Sequence, residues 1–196
     1  MASYDAAKTH NSEMDMHNDA VVDDTNRDFQ SNAVDSHLDE EEAKKKWLST
    51  AYERGSKKPM RKPLTAPWDV PINNTDMEKL KAGLKARSMD DKWEILVEDP
   101  NENGTISLHI LRSWLQEECY VLDIVPTPSG DNGGSAKIER ITWEGDHAGL
   151  QCPAEQAKKE AVVLCRTQVG CELETLPKYP SSVLWDTDDY TKVDAE

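Results

Sequence analysis

The charge of this chain is divided into three blocks, and this division most constrains what the chain can fold into. Residues 1–42 hold twelve Asp and Glu against two basic residues, residues 43–62 hold eight Lys and Arg against one Glu, and residues 63–196 are acidic again. With a net charge of -15 and 37% hydrophobic residues, the chain has enough apolar side chains for one modest core. Residues 1–35 bury too little apolar area to offset their ordering entropy, so we predict that they form a disordered acidic arm.

An amphipathic helix is predicted over residues 36–55, where the acidic block passes into the basic one. Three Glu–Lys pairs spaced four residues apart support it, and Gly55 is expected to end it. The second half of this helix has an apolar side that can dock on a core. That side consists of Trp47, Leu48, Ala51 and Tyr52.

Two basic clusters match the spacing of a two-part nuclear import signal, in which separated lysines reach two acidic troughs on a receptor. The clusters consist of Lys45 and Lys46, then of Lys57, Lys58 and Arg61 in a basic segment that continues to residue 62. The alternative is a solvated basic segment that pairs with the acidic block before it. The overall negative charge disfavours a nucleic-acid partner, because it would repel phosphate.

Apolar runs in the sequence fall short of the roughly 18 residues that cross a bilayer, and the first residues lack the basic start of a leader. We therefore expect a protein of the cytoplasm, the nucleus or both, without a membrane partner. The four cysteines form no C-x-x-C pair, which favours reduced thiols over a metal site or a disulfide framework.

The remaining sequence predicts an α+β domain over residues 76–176. Prolines at every fourth position from 59 to 71 predict an extended linker over residues 63–75. Helical spacing follows to about Ser88, and alternating patterns then predict a small antiparallel sheet of three or four strands, arranged as a meander. A helix packed on the sheet should begin near Pro153 and end at Gly170, before an acidic tail over residues 177–196. The strands are expected within residues 89–98, 105–114, 119–125 and 138–143.

The predicted hairpin concentrates the candidate chemistry on two adjacent strands. Arg112 can hold a phosphate or a carboxylate as a planar fork with an indole stacked on it, and His109 can move a proton near neutral pH. In a regular strand, however, His109 lies on the face opposite Arg112, so the two meet one ligand only if a bulge redirects the chain. The candidate ligand-binding residues are Lys92, Trp93, His109, Arg112, Ser113 and Trp114.

The alternative interpretation of this cluster is structural. Trp93 and Trp114 would then belong to the core, Arg112 would lie along an indole, and His109 would be an ordinary sheet residue.

The segment over residues 89–125 resembles a family of small, uncharacterised proteins of bacteria and fungi. The resemblance lies in a Lys-Trp strand, a strand that ends in His-Arg-Ser-Trp, and a strand that contains a Tyr; here they carry Lys92-Trp93, His109, Arg112-Ser113-Trp114 and Tyr120. This chain departs from the family by having Leu111 in place of His and Leu115-Gln116 in place of Thr-Gly. The resemblance implies the strand arrangement and no particular activity.

Motifs of familiar enzymes are missing from the sequence, among them G-x-S-x-G, the P-loop and H-E-x-x-H. We therefore predict no catalytic residue, no cofactor and no metal site. A binding or adaptor module is favoured, with a protein partner or a small anionic ligand. The alternative is a small enzyme or a nucleotide- or phosphate-binding protein that uses Lys92, His109, Arg112 and Ser113.

Overall fold

A computed structural model describes residues 41–127 and 134–192. The chain divides into two units, Met1–Lys44 and Lys45–Glu196, and the second contains the sheet. The predicted disorder of residues 1–35 lies outside the described residues. In the part of the chain that is described, no helix is long and apolar enough to cross a membrane.

A five-stranded antiparallel sheet forms the centre of the second unit. The strands are β1 (Pro63–Asn73), β2 (Trp93–Val97), β3 (Ile106–Arg112), β4 (Glu117–Pro126) and β5 (Gly134–Glu144). They are arranged in the order β1-β5-β4-β3-β2, so that β2 to β5 are neighbours in sequence order. The predicted antiparallel meander is confirmed. Strand β1 adds a fifth strand at the edge of the sheet, next to β5.

The prediction of a linker over residues 63–75 is wrong, because Pro63–Asn73 is an eleven-residue strand paired with β5. Proline cannot donate a ladder hydrogen bond, but an edge strand leaves one side unpaired and tolerates it. The register shifts between Pro67 and Val70, where Asp69 has a φ of 26°. The folded unit therefore begins well before residue 76.

The predicted helix over residues 36–55 is also wrong in its second half. The described helical residues are 41–47, which we call α1. After them the backbone pairs with the free edge of β2: Tyr52 N donates to Val97 O, and Val97 N donates to Thr50 O, both at 2.8 Å. The backbone of Thr50 and Tyr52 thus satisfies the free hydrogen-bonding groups at the edge of β2 instead of continuing the helix. Gly55 therefore does not end a helix.

Two further helices pack with the sheet. Helix α2 (Asn74–Ala82) ends before the predicted Ser88, because Leu84 leaves it to bond with Ile95 of β2. Gly83 permits this exit: its φ is 63°, and a Cβ atom there would lie 2.6 Å from the Ile95 carbonyl oxygen. Helix α3 (Ala154–Val169) ends at Gly170, as predicted.

The predicted acidic tail is partly folded onto the domain. Ser181–Trp185 form a 3-10 helix whose Val183 is buried, and Gln156 Nε2 of α3 donates to the Val183 carbonyl at 2.9 Å. Farther on, β8 (Thr191–Lys192) joins a small sheet with β6 (Asp146–His147) and β7 (Leu150–Gln151). The hydrogen bond to α3 and the pairing of β8 with β7 hold this acidic segment on the domain.

The two faces of the main sheet are covered differently. One face packs with α2 and α3 around a single apolar cluster that includes Ile72, Leu80, Ile110, Leu122, Ile138 and Leu164. The other face carries His109 and Leu111, and the chain between α1 and β1 crosses it from Val97 on β2 to Glu117 on β4. Tyr52, on that crossing segment, stacks on His109.

Candidate functional site

Trp93 and Arg112 are directly paired across β2 and β3. The Arg112 guanidinium lies 4.0 Å from the centre of the Trp93 ring, in a cation–π contact. The Trp93 side chain is buried and belongs to the core, so the ring is a fixed platform. Among the described residues, the guanidinium makes no ion pair and no hydrogen bond. Arg112 therefore keeps its donors free.

A cavity of about 550 Å³ opens beside this pair. In the antiparallel sheet, β2 and β4 begin at the same end where β3 and β5 finish, so their terminal residues meet there. The side chains most relevant to its chemistry are Trp93, Arg112, Tyr120, Glu144, Glu160, Tyr190 and Arg61. The site thus combines the end of the sheet with α3 and the segment after it.

Glu160 of α3 is the buried carboxylate of this cavity, with 4% of its surface exposed. The Tyr120 hydroxyl donates to its Oε2, while Tyr190 OH at 3.1 Å and Gln156 Nε2 at 3.0 Å donate to its Oε1. Burial, and then Glu160 itself, raise the pKa of the Tyr120 hydroxyl. The carboxylate is held by neutral donors and has no ion-pair partner in the described part of the chain.

The other carboxylates at this end of the sheet are already engaged. Glu144 accepts hydrogen bonds from the backbone amides of Arg61 at 2.6 Å and of Lys62 and Asp146 at 3.1 Å. Burial opposes its ionisation, but these amides outweigh burial and lower its pKa. Asp146 pairs with Lys62 Nζ at 2.9 Å, and Glu117 pairs with Lys58 Nζ at 3.5 Å.

Cysteine chemistry is disfavoured at this site. Cys119 lines the cavity, and burial raises the pKa of its thiol to about 11, although Arg112 acts in the opposite direction. Burial likewise raises the pKa of Cys152 to about 11. Because the thiolate is the nucleophile and the metal ligand, both side chains are unreactive thiols at neutral pH. All four cysteines are free.

His109 lies on the opposite face of the sheet from Arg112 and does not reach the cavity. Its Nδ1 is 2.9 Å from Glu118 Oε1, and its Nε2 is 3.5 Å from Glu98 Oε2. Nε2 is buried and makes no hydrogen bond within the described residues. A register shift does occur between Ile110 and Leu111, where Cys119 is the extra residue of β4. This bulge does not bring His109 and Arg112 together.

The other predicted site residues are dispersed. The Ser113 hydroxyl donates to the Asp91 carbonyl, which makes Ser113 a structural residue. Trp114 is 64% exposed and is not part of the core, and its Nε1 donates to the Met89 carbonyl at 2.7 Å. Lys92 Nζ lies 5.9 Å from the centre of the Trp185 ring. Of the six candidates, only Trp93 and Arg112 share the cavity.

The predicted import residues have two kinds of surroundings. Lys45 and Lys46 are exposed on α1. Lys57 Nζ bonds with Gln116 Oε1, and Arg61 Nε lies 4.0 Å from Glu144 Oε2. Lys58 is held through its backbone: its N donates to Gln116 O at 2.8 Å, and Glu118 N donates to Lys58 O at 3.0 Å. The second basic cluster is therefore attached to the start of β4 and the end of β5.

Sequence reasoning did not identify Glu160 or Tyr190 as residues of the site. Glu160 had a detectable signal, because it interrupts the apolar stripe that Ala157 and Ala161 form on α3. A carboxylate on a buried stripe requires hydrogen-bonding partners. Gln156 lies one turn earlier on α3, but the other two partners are Tyr120 of β4 and Tyr190, so their identity depends on the tertiary structure.

No cluster of His, Cys, Asp and Glu that could hold a metal ion occurs in the described ranges. The fold and site define an α+β protein with an antiparallel sheet and a cavity of ligand size at one end of that sheet. No protein-family model matches the chain, and no curated protein or solved structure matches it. What its residues do is therefore inferred from their own geometry.

Proposed function

We propose that this protein is a ligand-binding module that takes a small carboxylic acid in the cavity, with the carboxylate on Arg112. The observation that carries the proposal is the Arg112 guanidinium, stacked on Trp93, facing a cavity and lacking an ion-pair partner among the described residues. A guanidinium presents a planar fork that matches a carboxylate in a two-point contact. Stacking on a buried indole fixes the plane of that fork before the ligand arrives.

The charge around the cavity favours a singly charged ligand over a nucleotide. Five acidic residues line it, against Lys58, Arg61 and Arg112. A polyphosphate would bring several negative charges next to Glu144 and Glu160, where the local dielectric is low and repulsion is strong. A monocarboxylate requires only the one free guanidinium.

Glu160 indicates what the rest of the ligand carries. Its two oxygens accept three hydrogen bonds, whereas an ionised carboxylate offers about four acceptor positions. An ammonium or hydroxyl group on the ligand can donate a fourth hydrogen bond to the remaining acceptor position of Glu160. We therefore propose an amino acid or a hydroxy acid as the ligand class.

Binding rather than catalysis is supported by the separation of the reactive groups. His109 and Arg112 are on opposite faces of the sheet, and Ser113 is bonded to the backbone of Asp91. The cavity thiol of Cys119 is protonated at neutral pH. Glu160, the buried carboxylate of the cavity, is engaged by three hydrogen-bond donors.

Thermal shift measurements with the full chain test this proposal. Glycine, lactate, acetate, inorganic phosphate and ATP are the probes, and the variants are Arg112→Gln and Arg87→Gln. Arg87 is an exposed arginine that does not line the cavity. Glycine or lactate should raise the melting temperature of the wild type and of Arg87→Gln, and ATP should not. A ligand at a hundred times its dissociation constant adds about 2.7 kcal/mol. An equal shift in Arg112→Gln would overturn the proposal.

We also propose that Lys45 and Lys46 act in nuclear import, which would place the protein in both the cytoplasm and the nucleus. Their support is exposure on α1, where both ammonium groups are accessible to a receptor. The second cluster would have to release the two backbone hydrogen bonds of Lys58 before it could bind in an extended form.

A further inference from the structure

A second concave surface carries unusually large exposed apolar side chains. We call it the aromatic groove; it is about 670 Å³ in volume, and Trp47, Met89 and Trp114 line it. Met89 is 73% exposed, Trp114 64% and Trp47 52%. Isolated exposed apolar residues are common, but a convergent group of this size marks an interaction surface.

The groove is arranged before any partner binds. The Trp114 indole nitrogen donates to the Met89 carbonyl at 2.7 Å, which fixes the indole against the loop before β2. Tryptophan supplies a large contact area with few rotatable bonds and is enriched among residues that dominate binding energy. The thioether of Met89 adds an adaptable apolar surface beside it.

Positive charge surrounds these apolar side chains, although the whole protein carries a net charge of -15. The charged residues that line the groove are Lys57, Lys85, Arg87 and Glu94. Lys85 Nζ pairs with the buried Glu94 at 3.0 Å. Burial and the neighbouring Lys85 charge lower the pKa of Lys57, although Glu94 and Glu53 act in the opposite direction. Lys57 Nζ itself bonds with Gln116 Oε1. Arg87 makes no ion pair within the described ranges.

We propose that the aromatic groove binds an acidic segment of another protein, with an apolar side chain against Trp114 and carboxylates next to Lys57 and Arg87. A partner carboxylate next to Lys57 offsets the repulsion from Lys85, because Glu94 is paired with Lys85 and Lys57 makes no ion pair among the described residues. An apolar anchor within an acidic segment combines both features of the surface. A purely apolar partner would leave the positive charges uncompensated, and a basic partner would be repelled.

Fluorescence anisotropy with the full chain provides the test. The probe is a labelled synthetic peptide with one phenylalanine flanked on both sides by glutamates, and its control has glutamines in place of the glutamates. The wild type should bind the acidic peptide and not the glutamine peptide, and binding should weaken as salt is raised. Trp114→Ala and Arg87→Glu should each weaken binding about tenfold or more.

Trp185→Ala is the matched control, because Trp185 is 63% exposed and lies outside the groove. Its affinity for the acidic peptide should equal that of the wild type. Equal binding by Trp114→Ala and Trp185→Ala, or equal binding of the two peptides, would overturn the proposal. Sedimentation velocity tests whether a second copy of this chain occupies the groove instead. A wild-type dimer that is lost in Trp114→Ala would assign the groove to that second copy and would also overturn the proposal.

Discussion

Tyr52 lies flat on His109, with ring centroids 3.5 Å apart and planes that differ by 1°. The Tyr52 hydroxyl donates to Glu118 Oε1 at 2.5 Å, and the same oxygen is 2.9 Å from His109 Nδ1. One aromatic residue thus joins the segment before β1 to β3 and β4 at once. The same segment continues to Arg61, which lines the cavity.

Replacement of Tyr52 by Phe tests this attachment. The change keeps the stacked ring and removes the hydrogen bond to a carboxylate, so the free energy of unfolding should fall by about 1.5 kcal/mol. Urea unfolding followed by circular dichroism measures it. Tyr179→Phe is the control, since the Tyr179 hydroxyl has no hydrogen bond among the described residues. Equal stability of the two variants would contradict the role of the Tyr52 hydroxyl.

The pKa of Glu118 predicts an acid-sensitive contribution to stability. Burial opposes ionisation, but the hydrogen bonds from His109 and Tyr52 lower the pKa below its ordinary value of 4.5. The folded state therefore binds fewer protons than the unfolded state, so this contribution is complete above the unfolded pKa and is lost as pH falls through the folded one. Between neutral pH and about pH 3, the urea midpoint of the wild type should fall more steeply than that of Glu118→Gln. Parallel curves would rule out this contribution.

Asp76, at the start of α2, fastens the chain after α3. Its carboxylate is 1% exposed and accepts hydrogen bonds from the backbone amides of Glu172 and Leu173, each at 2.8 Å. Asp76→Ala leaves two donors unsatisfied and should lower the free energy of unfolding by about 3 kcal/mol. Asp76→Asn should cost less, because its amide oxygen still accepts one bond. The exposed Asp90→Ala should change stability by less than about 0.5 kcal/mol, and a similar loss in both alanine variants would contradict the assignment.

Lys45 and Lys46 give the clearest test of nuclear import, because both side chains are exposed on α1 and their replacement should not disturb the fold. Lys45→Ala with Lys46→Ala in a fluorescent fusion should reduce the nuclear fraction without changing the melting temperature. Lys57, Lys58 and Arg61 together changed to Ala should reduce it too, but this variant also removes contacts with β4 and β5. An unchanged distribution in the Lys45 and Lys46 variant would remove the import hypothesis.

The hairpin of β2 and β3 could be predicted because its signal is local. Alternating side chains and turn residues between them place Trp93 beside Arg112, and the structure pairs these two residues directly. Strand β1 was missed for a physical reason: proline suppresses every local strand signal, and only the position of β1 at the sheet edge makes it tolerable.

The cavity depended on contacts that no local pattern encodes. Tyr190 reaches Glu160 across thirty residues, and Tyr52 reaches Glu118 across sixty-six. Each of these pairs is fixed by how α3 and the segment before β1 pack on the sheet. The stacking of Arg112 on an indole, in contrast, was one of the interpretations that the sequence left open.

The proposed ligand site can be observed directly at the Arg112 side chain. In ¹⁵N-labelled protein, the Arg112 Nε–H resonance is identified by its absence from Arg112→Gln. Titration with glycine or lactate should move this resonance to a saturating value, with a midpoint that matches the dissociation constant from thermal shift. A resonance that stays in place while these acids stabilise the protein, or that moves only with ATP, would contradict a carboxylic-acid site on Arg112.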